Sequence, residues 1–317
     1  MEKFLHQETL SETRRHVILS VNPKAGRRSS KMLVERLENA LKELGFTVET
    51  LTDLDVVAHR ANETHLNGTL RALIGVGGDG TAAELTNRTQ PGVPISLLAT
   101  GTANLLAKHM KYSFRPEKFA KMIAAGKVVT VDAARANGRL FLAMIGCGFD
   151  ADVVRQVHKA RMENKKNAHI SYFSYIKPIL RSIAGYGFPL IRVEELDESG
   201  MVVGEAKETH WAFLCNIPRY GWGVPVAPGA KLDDGKLDLC LWRGGSLFQG
   251  LYLTALVQMG IHGRFRRCML CQGKRFRFTS LEPDREIPFQ LDGDPGGNIP
   301  VEIEILPNRL TIFVPEK

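Results

Sequence analysis

The first 130 residues alternate short apolar runs with stretches of helical spacing, and this alternation constrains the fold more than any other feature. Four apolar runs predict buried strands: HVILSV, FTVETL, RALIGV and VPISLLA. The segments between them repeat apolar side chains every three or four residues, as in SSKMLVERLENALKELG, and predict helices. Such alternation favours a parallel sheet covered on both faces, which binds ligands beyond the carboxyl ends of its strands.

From about residue 128 the pattern becomes β-rich. KVVTVDAARANGRLFLAMIGCGFD predicts two strands around a tight turn at Asn137-Gly138, and two helical stretches, 150–184 and 246–261, interrupt the later strands. We predict an α/β protein with a Rossmann-like parallel sheet in its N-terminal domain and a mainly antiparallel, β-sandwich-like C-terminal domain. The expected division is an N-terminal arm at 1–15, a first domain at 16–130 and a second at 131–317, with a return of the last strand to the first domain left open.

The net charge limits the partners. The chain carries +8 at pH 7 with a pI near 9.3, which favours a nucleotide, an anionic membrane surface or a nucleic acid. No recognition motif accompanies the basic residues, so we expect no nucleic-acid partner. The uncharged stretch 244–261 contains Ser, Thr and Gln and opens on Gly-Gly, so it predicts a buried or interfacial helix and no transmembrane segment.

The five cysteines favour a reducing compartment. Their number is odd, their spacing is uneven, and the N-terminal sequence lacks the apolar core of a signal peptide, so we expect a cytoplasmic protein with reduced thiols. Cys268 and Cys271 form a lone C-x-x-C without a second ligand pair at zinc spacing. This spacing favours buried or idle thiols over a metal or redox site.

A glycine loop, GVGGDGTAAE, follows the third predicted strand. Gly75, Gly77 and Gly80 match the G-x-G-x-x-G spelling of dinucleotide-binding loops, which need an acid roughly 20 residues later to hold the ribose. Residues 85–116 contain no acid, and Asp79 inside the loop would repel a pyrophosphate unless a cation lay between them. The alternative of a plain tight turn explains the glycines but not the aspartate.

Phosphate binding with a metal ion accounts for every residue of this loop. Glycines let main-chain N–H groups approach a polyphosphate, and Thr81 lies near the positive end of the following helix. Asp79 can hold a Mg²⁺ ion that bridges the phosphates. This interpretation makes ATP the first candidate ligand.

Two more loops follow predicted strands at the same sheet edge. NPKAGRRSS (22–30) offers Lys24 and neighbouring arginines to neutralise phosphates, and ATGTANLL (99–106) offers Thr102 and Asn104 as hydrogen-bonding groups at a helix start. Neither loop is a Walker A motif. The three loops together favour a polyphosphate site.

Five motifs, in this order and over nearly the whole chain, resemble the diacylglycerol kinase and sphingosine kinase superfamily: NPKAG, GGDGT, GTANLLA, PGAKLDDGKLDLCLW and LDGDP. The GGDGT loop is shared with NAD kinases, whereas DDGKLD and LDGDP resemble motifs of the lipid kinases. The resemblance implies a Mg²⁺-dependent transfer of the γ-phosphoryl group of ATP to the hydroxyl of a diacylglycerol-like or sphingoid lipid. A NAD kinase relative and a catalytically weak nucleotide- or lipid-binding protein remain the alternatives.

The resemblance also implies roles for particular residues. Asp79 would help to hold the catalytic Mg²⁺ ion, and Asp294, the final carboxylate of LDGDP, would be the general base, with Asp292 beside it as a further catalytic acid. The implied nucleotide contacts are Asn22, Pro23, Lys24, Ala25, Gly26, Thr52, Gly77, Gly78, Asp79, Gly80, Thr81, Glu84, Thr102 and Asn104.

A second metal site is implied in the later domain. Asp234, with the main chain around Lys231 and Lys236, resembles a structural divalent-metal site of the family. A polar Asp-Asp-Gly turn that enters a strand explains the same residues.

Three positions depart from the family pattern. Leu105 stands where many bacterial members have Asp, Ala83 stands where Asn is common, and Asp294 is one methylene shorter than the usual Glu. These departures weaken the diacylglycerol assignment more than the kinase assignment.

A lipid kinase must meet a membrane. The segments 158–188 and 262–270 each combine basic residues with aromatic ones, as anionic bilayer interfaces favour, although a solvated basic face over an aromatic core explains them equally well. We therefore expect a cytoplasmic protein that associates peripherally with the inner face of the membrane, where its lipid substrate lies. A homodimer is left open.

Overall fold

The computed structural model shows a chain that forms two compact units. The first unit comprises residues 1–133 and 307–317, and the second comprises residues 134–306. The structure describes residues 4, 6–21, 28–101, 103–163, 185–282 and 284–315.

The first unit is an α/β structure. Its helices and strands, in chain order, are β1 (Gln7–Thr9), β2 (His16–Val21), α1 (Arg28–Glu43), β3 (Thr47–Leu51), α2 (Leu54–Leu66), β4 (Leu70–Gly77), α3 (Asp79–Arg88), β5 (Pro94–Ala99), α4 (Leu105–His109), α5 (Pro116–Ala125) and β6 (Lys127–Ala136), whose last three residues belong to the second unit.

The predicted parallel sheet is confirmed. Its strands follow the order β5-β4-β2-β3, and each neighbouring pair is parallel. All eight residues of β4 are buried, which explains why its sequence is a continuous apolar run around one arginine. Thr311 and Ile312, near the end of the chain, pair in parallel with Pro94 and Ile95 of β5. Because the strands are parallel, the loops that follow them emerge at one edge of the sheet.

The described part of the N-terminal arm is held by the first unit. Gln7 lies opposite Val129 in the antiparallel pair of β1 and β6. The guanidinium of Arg71, which is 3% exposed, donates hydrogen bonds to the main-chain oxygens of Leu10 and Ser11, each at 3.2 Å. These contacts fix residues 7–11.

The second unit consists mainly of antiparallel strands. Its elements are β7 (Arg139–Phe141), β8 (Met144–Gly148), α6 (Phe149–Glu163), β9 (Ile191–Leu196), β10 (Val202–Thr209), β11 (Trp211–Cys215), β12 (Leu237–Trp242), α7 (Leu247–Gln258), β13 (Cys268–Gly273), β14 (Arg275–Ser280), β15 (Pro288–Leu291), β16 (Asp294–Asn298) and β17 (Val301–Phe313), whose residues from Pro307 onward belong to the first unit.

The strands of the second unit form two layers, as predicted. One layer follows the order β10-β9-β14-β17 and the other β13-β12-β11-β8-β15-β16. One apolar core contains residues of both layers, for example Phe276 and Phe278 from β14 with Leu214 from β11. The hairpin at Asn137-Gly138 is confirmed: both residues have positive φ, at 45° and 87°, as its tight turn requires.

The two predicted helical interruptions of the second unit are only partly described. The first begins with α6, and residues 164–184 lie outside the described residues. The second is α7, and Ser246 caps it by accepting a hydrogen bond from the main-chain nitrogen of Gln249 at 3.3 Å. Among the described residues, no helix is long and apolar enough to cross a membrane.

Candidate functional site

Four loops leave the carboxyl edge of the parallel sheet, where ligands of such folds bind. The loop after β3 begins at Thr52, whose side chain is exposed. The loops after β4 and β5 are described except at one residue. The predicted contacts that lie outside the described residues are Asn22, Pro23, Lys24, Ala25 and Gly26 after β2 and Thr102 after β5.

The loops after β4 and β5 touch through their main chains, at a place that we call the glycine crossing (Gly77, Gly78 and Gly101). A Cβ atom on Gly101 would lie 2.7 Å from the Cα of Gly78, and one on Gly77 would lie 2.0 Å from the Oγ1 of Thr81. The main-chain nitrogen of Thr100 also donates to the oxygen of Gly77 at 2.9 Å. A side chain on Gly78 or Gly101 would push the loops apart, and one on Gly77 would displace Thr81, so this arrangement needs the three glycines.

Asp79 is the first residue of α3, and its carboxylate joins the two loops. The side chain is buried, and its Oδ1 accepts a hydrogen bond from the main-chain nitrogen of Leu106 at 3.2 Å, at the start of α4. Burial raises the pKa of the Asp79 carboxyl, while hydrogen bonds from the main chain and the charge of Lys108 lower it. A divalent cation would favour the ionised form in the same way, so this position suits a metal ligand.

Asn104 offers an unsatisfied group beside the glycine crossing. Its backbone is left-handed, with φ at 50°, and its Nδ2 donates to the main-chain oxygen of Gly101 at 2.7 Å. Its Oδ1 is buried and has no hydrogen-bond partner among the described residues, a state that costs about 1–3 kcal/mol. A water molecule of a hydrated cation or a donor group of a nucleotide would satisfy this oxygen.

The remaining predicted contacts lie in the first two turns of α3. Gly80 and Thr81 belong to the first turn, where main-chain N–H groups and the helix dipole favour an anion. Glu84 lies one turn further on and forms an ion pair with Arg88 at 3.3 Å. Close-approach glycines, a helix N-terminus and a buried carboxylate together fit a polyphosphate with Mg²⁺.

In the second unit, the predicted acids lie in a turn that we call the acidic hairpin (residues 290–294). Asp292 is buried, and its carboxylate accepts three main-chain hydrogen bonds, from Leu142 at 2.7 Å, Ala143 at 2.8 Å and Met144 at 2.9 Å. Its φ is 52°, in the left-handed region. Because these donors occupy both oxygens, Asp292 fixes the hairpin to the start of β8 and is poorly placed to accept a substrate proton.

Asp294 differs from Asp292 in its surroundings. It is the first residue of β16, opposite Leu291, and is only partly buried. Among the described residues, none donates a hydrogen bond to its carboxylate. The turn before it is held by a hydrogen bond of 2.7 Å from the main-chain nitrogen of Gly293 to the Oε1 of Gln290. Within the described part of the chain, Asp294 is therefore a carboxylate on a fixed turn whose oxygens can accept a proton.

Sequence reasoning missed Asp150, which lies at the start of α6 and contacts the acidic hairpin. Its Oδ2 accepts hydrogen bonds from the Nε2 of Gln290 at 3.2 Å and from the hydroxyl of Tyr220 at 3.3 Å. Burial raises the pKa of Asp150 to about 6, and the two hydrogen bonds oppose this rise. A raised carboxyl pKa is a recognised sign of a functional position, but the sequence signal was only an acid at the start of a helix.

The Asp-Asp-Gly segment of the second unit forms a turn. The Oδ1 of Asp234 accepts a hydrogen bond from the main-chain nitrogen of Lys236 at 3.1 Å, and Gly235 has a φ of 69°. The side chains of Lys231 and Lys236 are exposed. A polar turn explains this segment without a metal ion, and the metal site stays a prediction.

Comparison with known proteins adds two domain matches. Residues 16–136 match the family model of the diacylglycerol kinase catalytic domain. Residues 143–314 match the model of the YegS C-terminal NAD kinase beta sandwich-like domain. The two matches follow each other along the chain and together cover most of it.

Whole-length relatives agree with these matches. The chain is 24% identical to a diacylglycerol kinase of Staphylococcus epidermidis, over 96% of this chain and 93% of that protein. It is 23% identical to a probable lipid kinase YegS-like of Shewanella frigidimarina, over 95% and 94%.

Solved structures show the same fold. A candidate diacylglycerol kinase from Bacillus anthracis superposes with a TM-score of 0.71 at 21% identity, and the match covers 96% of each chain. A NAD kinase from Archaeoglobus fulgidus, solved in complex with ATP, has a TM-score of 0.51 at 15% identity, over 95% of this chain and 94% of that one.

Proposed function

The chain belongs to the family of YegS-like and diacylglycerol kinases, and from this premise we propose that it transfers the γ-phosphoryl group of ATP to the hydroxyl of a lipid. The observation that carries the proposal is the buried carboxylate of Asp79, which lies where two glycine-rich loops cross beyond the carboxyl ends of parallel strands.

The residues of the first unit would bind the nucleotide. Gly77, Gly78 and Gly101 would let the main chain approach the phosphates, and the first turn of α3 would offer them its N–H groups and dipole. Asp79, with Asn104 beside it, would hold a Mg²⁺ ion and its waters. When bound, this ion neutralises charge on the phosphate oxygens.

Asp294 of the second unit is the proposed general base. Its carboxylate would accept the proton of the lipid hydroxyl while that oxygen forms a bond to the γ-phosphorus of ATP. The bond from the γ-phosphorus to the bridging oxygen of ADP breaks in the same step, and ADP carries that oxygen away. The products are ADP and a phosphorylated lipid, and the proton passes from Asp294 to solvent afterwards.

We place the membrane-facing surface of the second unit on α7. Phe248 is 82% exposed, and Leu251, Tyr252 and the C-cap residue Met259 are exposed on the same outward side. The opposite face of the helix is buried in the core: Leu253, Leu256 and Val257. A helix that is apolar on both faces has an outward face suited to lipid.

The charges around α7 favour an anionic membrane over a protein partner. The chain contains no acidic residue between Asp238 and Glu282. Exposed arginines flank the helix on both sides: Arg243, Arg264, Arg266 and Arg267. Apolar side chains surrounded by cations match a bilayer that is apolar inside and negatively charged at its surface.

A transfer assay tests the proposed reaction. Purified protein, labelled ATP and Mg²⁺ are incubated separately with dispersed diacylglycerol, monoacylglycerol, sphingoid base, ceramide and NAD. We expect label in at least one lipid and none in NAD. Label in NAD alone would favour the NAD kinase alternative. Lipid binding without any label, with normal ATP binding, would favour a catalytically weak binding protein.

A vesicle assay tests the membrane surface. Replacing Phe248 and Leu251 by Ser should weaken binding to phosphatidylglycerol vesicles by roughly 10-fold or more, because each exposed side chain loses about 1–3 kcal/mol of apolar burial. The control is Met32→Ser on α1 of the first unit, because Met32 is 61% exposed and Leu251 is 60% exposed. Equal loss in both variants, or binding that is indifferent to salt and to anionic lipid, would contradict the assignment.

A further inference from the structure

Three buried side chains of the second unit bring metal-binding atoms together, although no part of the proposed reaction uses them. Cys240 lies in β12, Cys268 begins β13, and His262 begins a short 3-10 turn at His262–Arg264 that follows α7. Their sulfur and ring-nitrogen atoms all lie within 4.8 Å of one another. Each residue is at most 7% exposed. Among the described residues, this is the single group of three such ligands.

The hydrogen bonds of His262 leave one ring nitrogen ready for a metal. Its Nε2 lies 3.1 Å from the main-chain oxygen of Val226. A carbonyl oxygen can only accept, so Nε2 carries the proton and Nδ1 has a free electron pair. That Nδ1 is buried and has no hydrogen-bond partner among the described residues. A main-chain carbonyl that fixes the protonated nitrogen is the usual outer contact of a metal-binding histidine.

The two thiols have the spacing of metal ligands. The Sγ atoms of Cys240 and Cys268 are 3.8 Å apart. Two thiolates on one tetrahedral zinc ion, with Zn–S bonds of about 2.3 Å, lie about 3.8 Å from each other. The Nε1 of Trp242 donates to the sulfur of Cys240 at 3.0 Å, and an N–H donor stabilises a thiolate. The cluster thus contains one ligand nitrogen and two sulfurs.

We propose that Cys240, Cys268 and His262 bind a Zn²⁺ ion. Each thiol releases its proton to solvent when it binds, and the two thiolates with a neutral imidazole then balance the charge of the ion. Charge balance matters because an uncompensated charge in this apolar core is costly. The same three ligands would leave a net negative charge with a monovalent cation, so the environment favours Zn²⁺ over Cu⁺. One tetrahedral position remains for water.

The proposed site separates the two cysteines of the C-x-x-C pair, which the sequence analysis had interpreted together as buried or idle thiols. Residues three apart on a strand point to opposite faces of the sheet. Cys268 packs into the core that contains α7, whereas Cys271 packs against the core between the two layers. Cys268 therefore meets Cys240 on the neighbouring strand, and Cys271 has no part in the cluster. Cys271 is a matched control.

The test measures zinc in the full-length protein, purified under reducing conditions without chelator. Mass spectrometry of metals should find about one zinc per chain. Cys268→Ser and His262→Gln should lower zinc affinity by roughly 10-fold or more, and Cys271→Ser and His210→Gln should retain the metal. Circular dichroism reports whether each variant is folded. Titration of the metal-free wild-type protein with Co²⁺ should give the absorption bands of a tetrahedral ion bound by thiolates. This measurement tests the site without any substitution.

Several outcomes would overturn the proposal. These are zinc far below one per chain even after reconstitution, Co²⁺ spectra without thiolate bands, and equal metal loss in Cys271→Ser. A disulfide between Cys240 and Cys268 in protein prepared with zinc present would also overturn it, because oxidised sulfurs cannot serve as thiolate ligands. The readout is metal content, so it does not depend on kinase activity.

Discussion

The glycine crossing of the first unit and the acidic hairpin of the second are built by different means. The crossing depends on main chain: glycines at 77, 78 and 101 allow close contact, and one aspartate joins the loops. The hairpin depends on side chains that come from distant parts of the sequence. Gln290 reaches Asp150, 140 residues away, and Asp292 reaches Leu142, 150 residues away.

This difference decides how each site responds to substitution. In the crossing, a single added methyl group acts through the shape of the main chain. In the hairpin, acids that are close in sequence have different surroundings: three main-chain N–H groups bind Asp292, whereas none of the described residues donates a hydrogen bond to Asp294. Substitutions that preserve shape but remove charge should therefore separate the two acids of the hairpin, whereas substitutions that add volume should disturb the glycines of the crossing.

The largest expected effect is on chemistry at the acidic hairpin. Asp294→Asn keeps the shape of the side chain and removes the proton acceptor, so kcat should fall roughly 10²- to 10⁴-fold while ATP affinity stays unchanged. Steady-state kinetics with the best lipid acceptor measures this. Asp284→Asn, a change at an exposed acid shortly before β15, is the control. Unchanged kcat in Asp294→Asn would remove this residue from the proposed mechanism.

Asp292→Asn should act on stability. The asparagine tolerates the left-handed backbone, so the change removes mainly the charge that three N–H groups bind. The free energy of unfolding should fall by about 2–4 kcal/mol, as measured by urea denaturation. A variant as stable as the wild type but inactive would contradict the structural role of Asp292 and assign it to catalysis.

In the glycine crossing, Gly101→Ala should have a smaller effect. The new Cβ would lie 2.7 Å from the Cα of Gly78, so the loops must separate by a fraction of an ångström, at a cost of about 1–3 kcal/mol. We expect ATP affinity, measured by calorimetry, to fall roughly 10-fold. Gly221→Ala is the control, because a Cβ there meets no atom within 4 Å. Equal affinity in both variants would show that ATP does not need the crossing.

The sequence predicted those parts of the sites whose residues are neighbours in the chain. The glycine motif contains Asp79 and directly follows the strand β4. The sequence therefore predicted this loop together with the parallel sheet. The hydrogen bond of Asp150 with Gln290 and the approach of His262 to Cys240 depend on how elements that are distant in sequence pack together, and no spacing rule indicates them. For the same reason the sequence predicted a catalytic role for both Asp292 and Asp294. The three main-chain N–H groups that bind Asp292 come from the distant residues 142–144, and this difference between the two acids is visible only in the structure.

The smallest expected effect concerns the pH dependence of Asp150. Its pKa is raised from 3.8 to about 6, chiefly by burial, so between these values the folded protein keeps a proton that the unfolded chain has lost. Its stabilising contribution is complete below about pH 4 and is lost as pH rises through about 6. Asp150→Asn lacks this titration. The melting temperature of the wild type minus that of the variant should therefore decrease by roughly 2–4 °C from about pH 5 to about pH 7. Other titrating groups are shared and cancel in this difference. A difference that is constant across this range would mean that Asp150 does not titrate there, and that its burial at the start of α6 beside Gln290 does not raise its pKa to about 6.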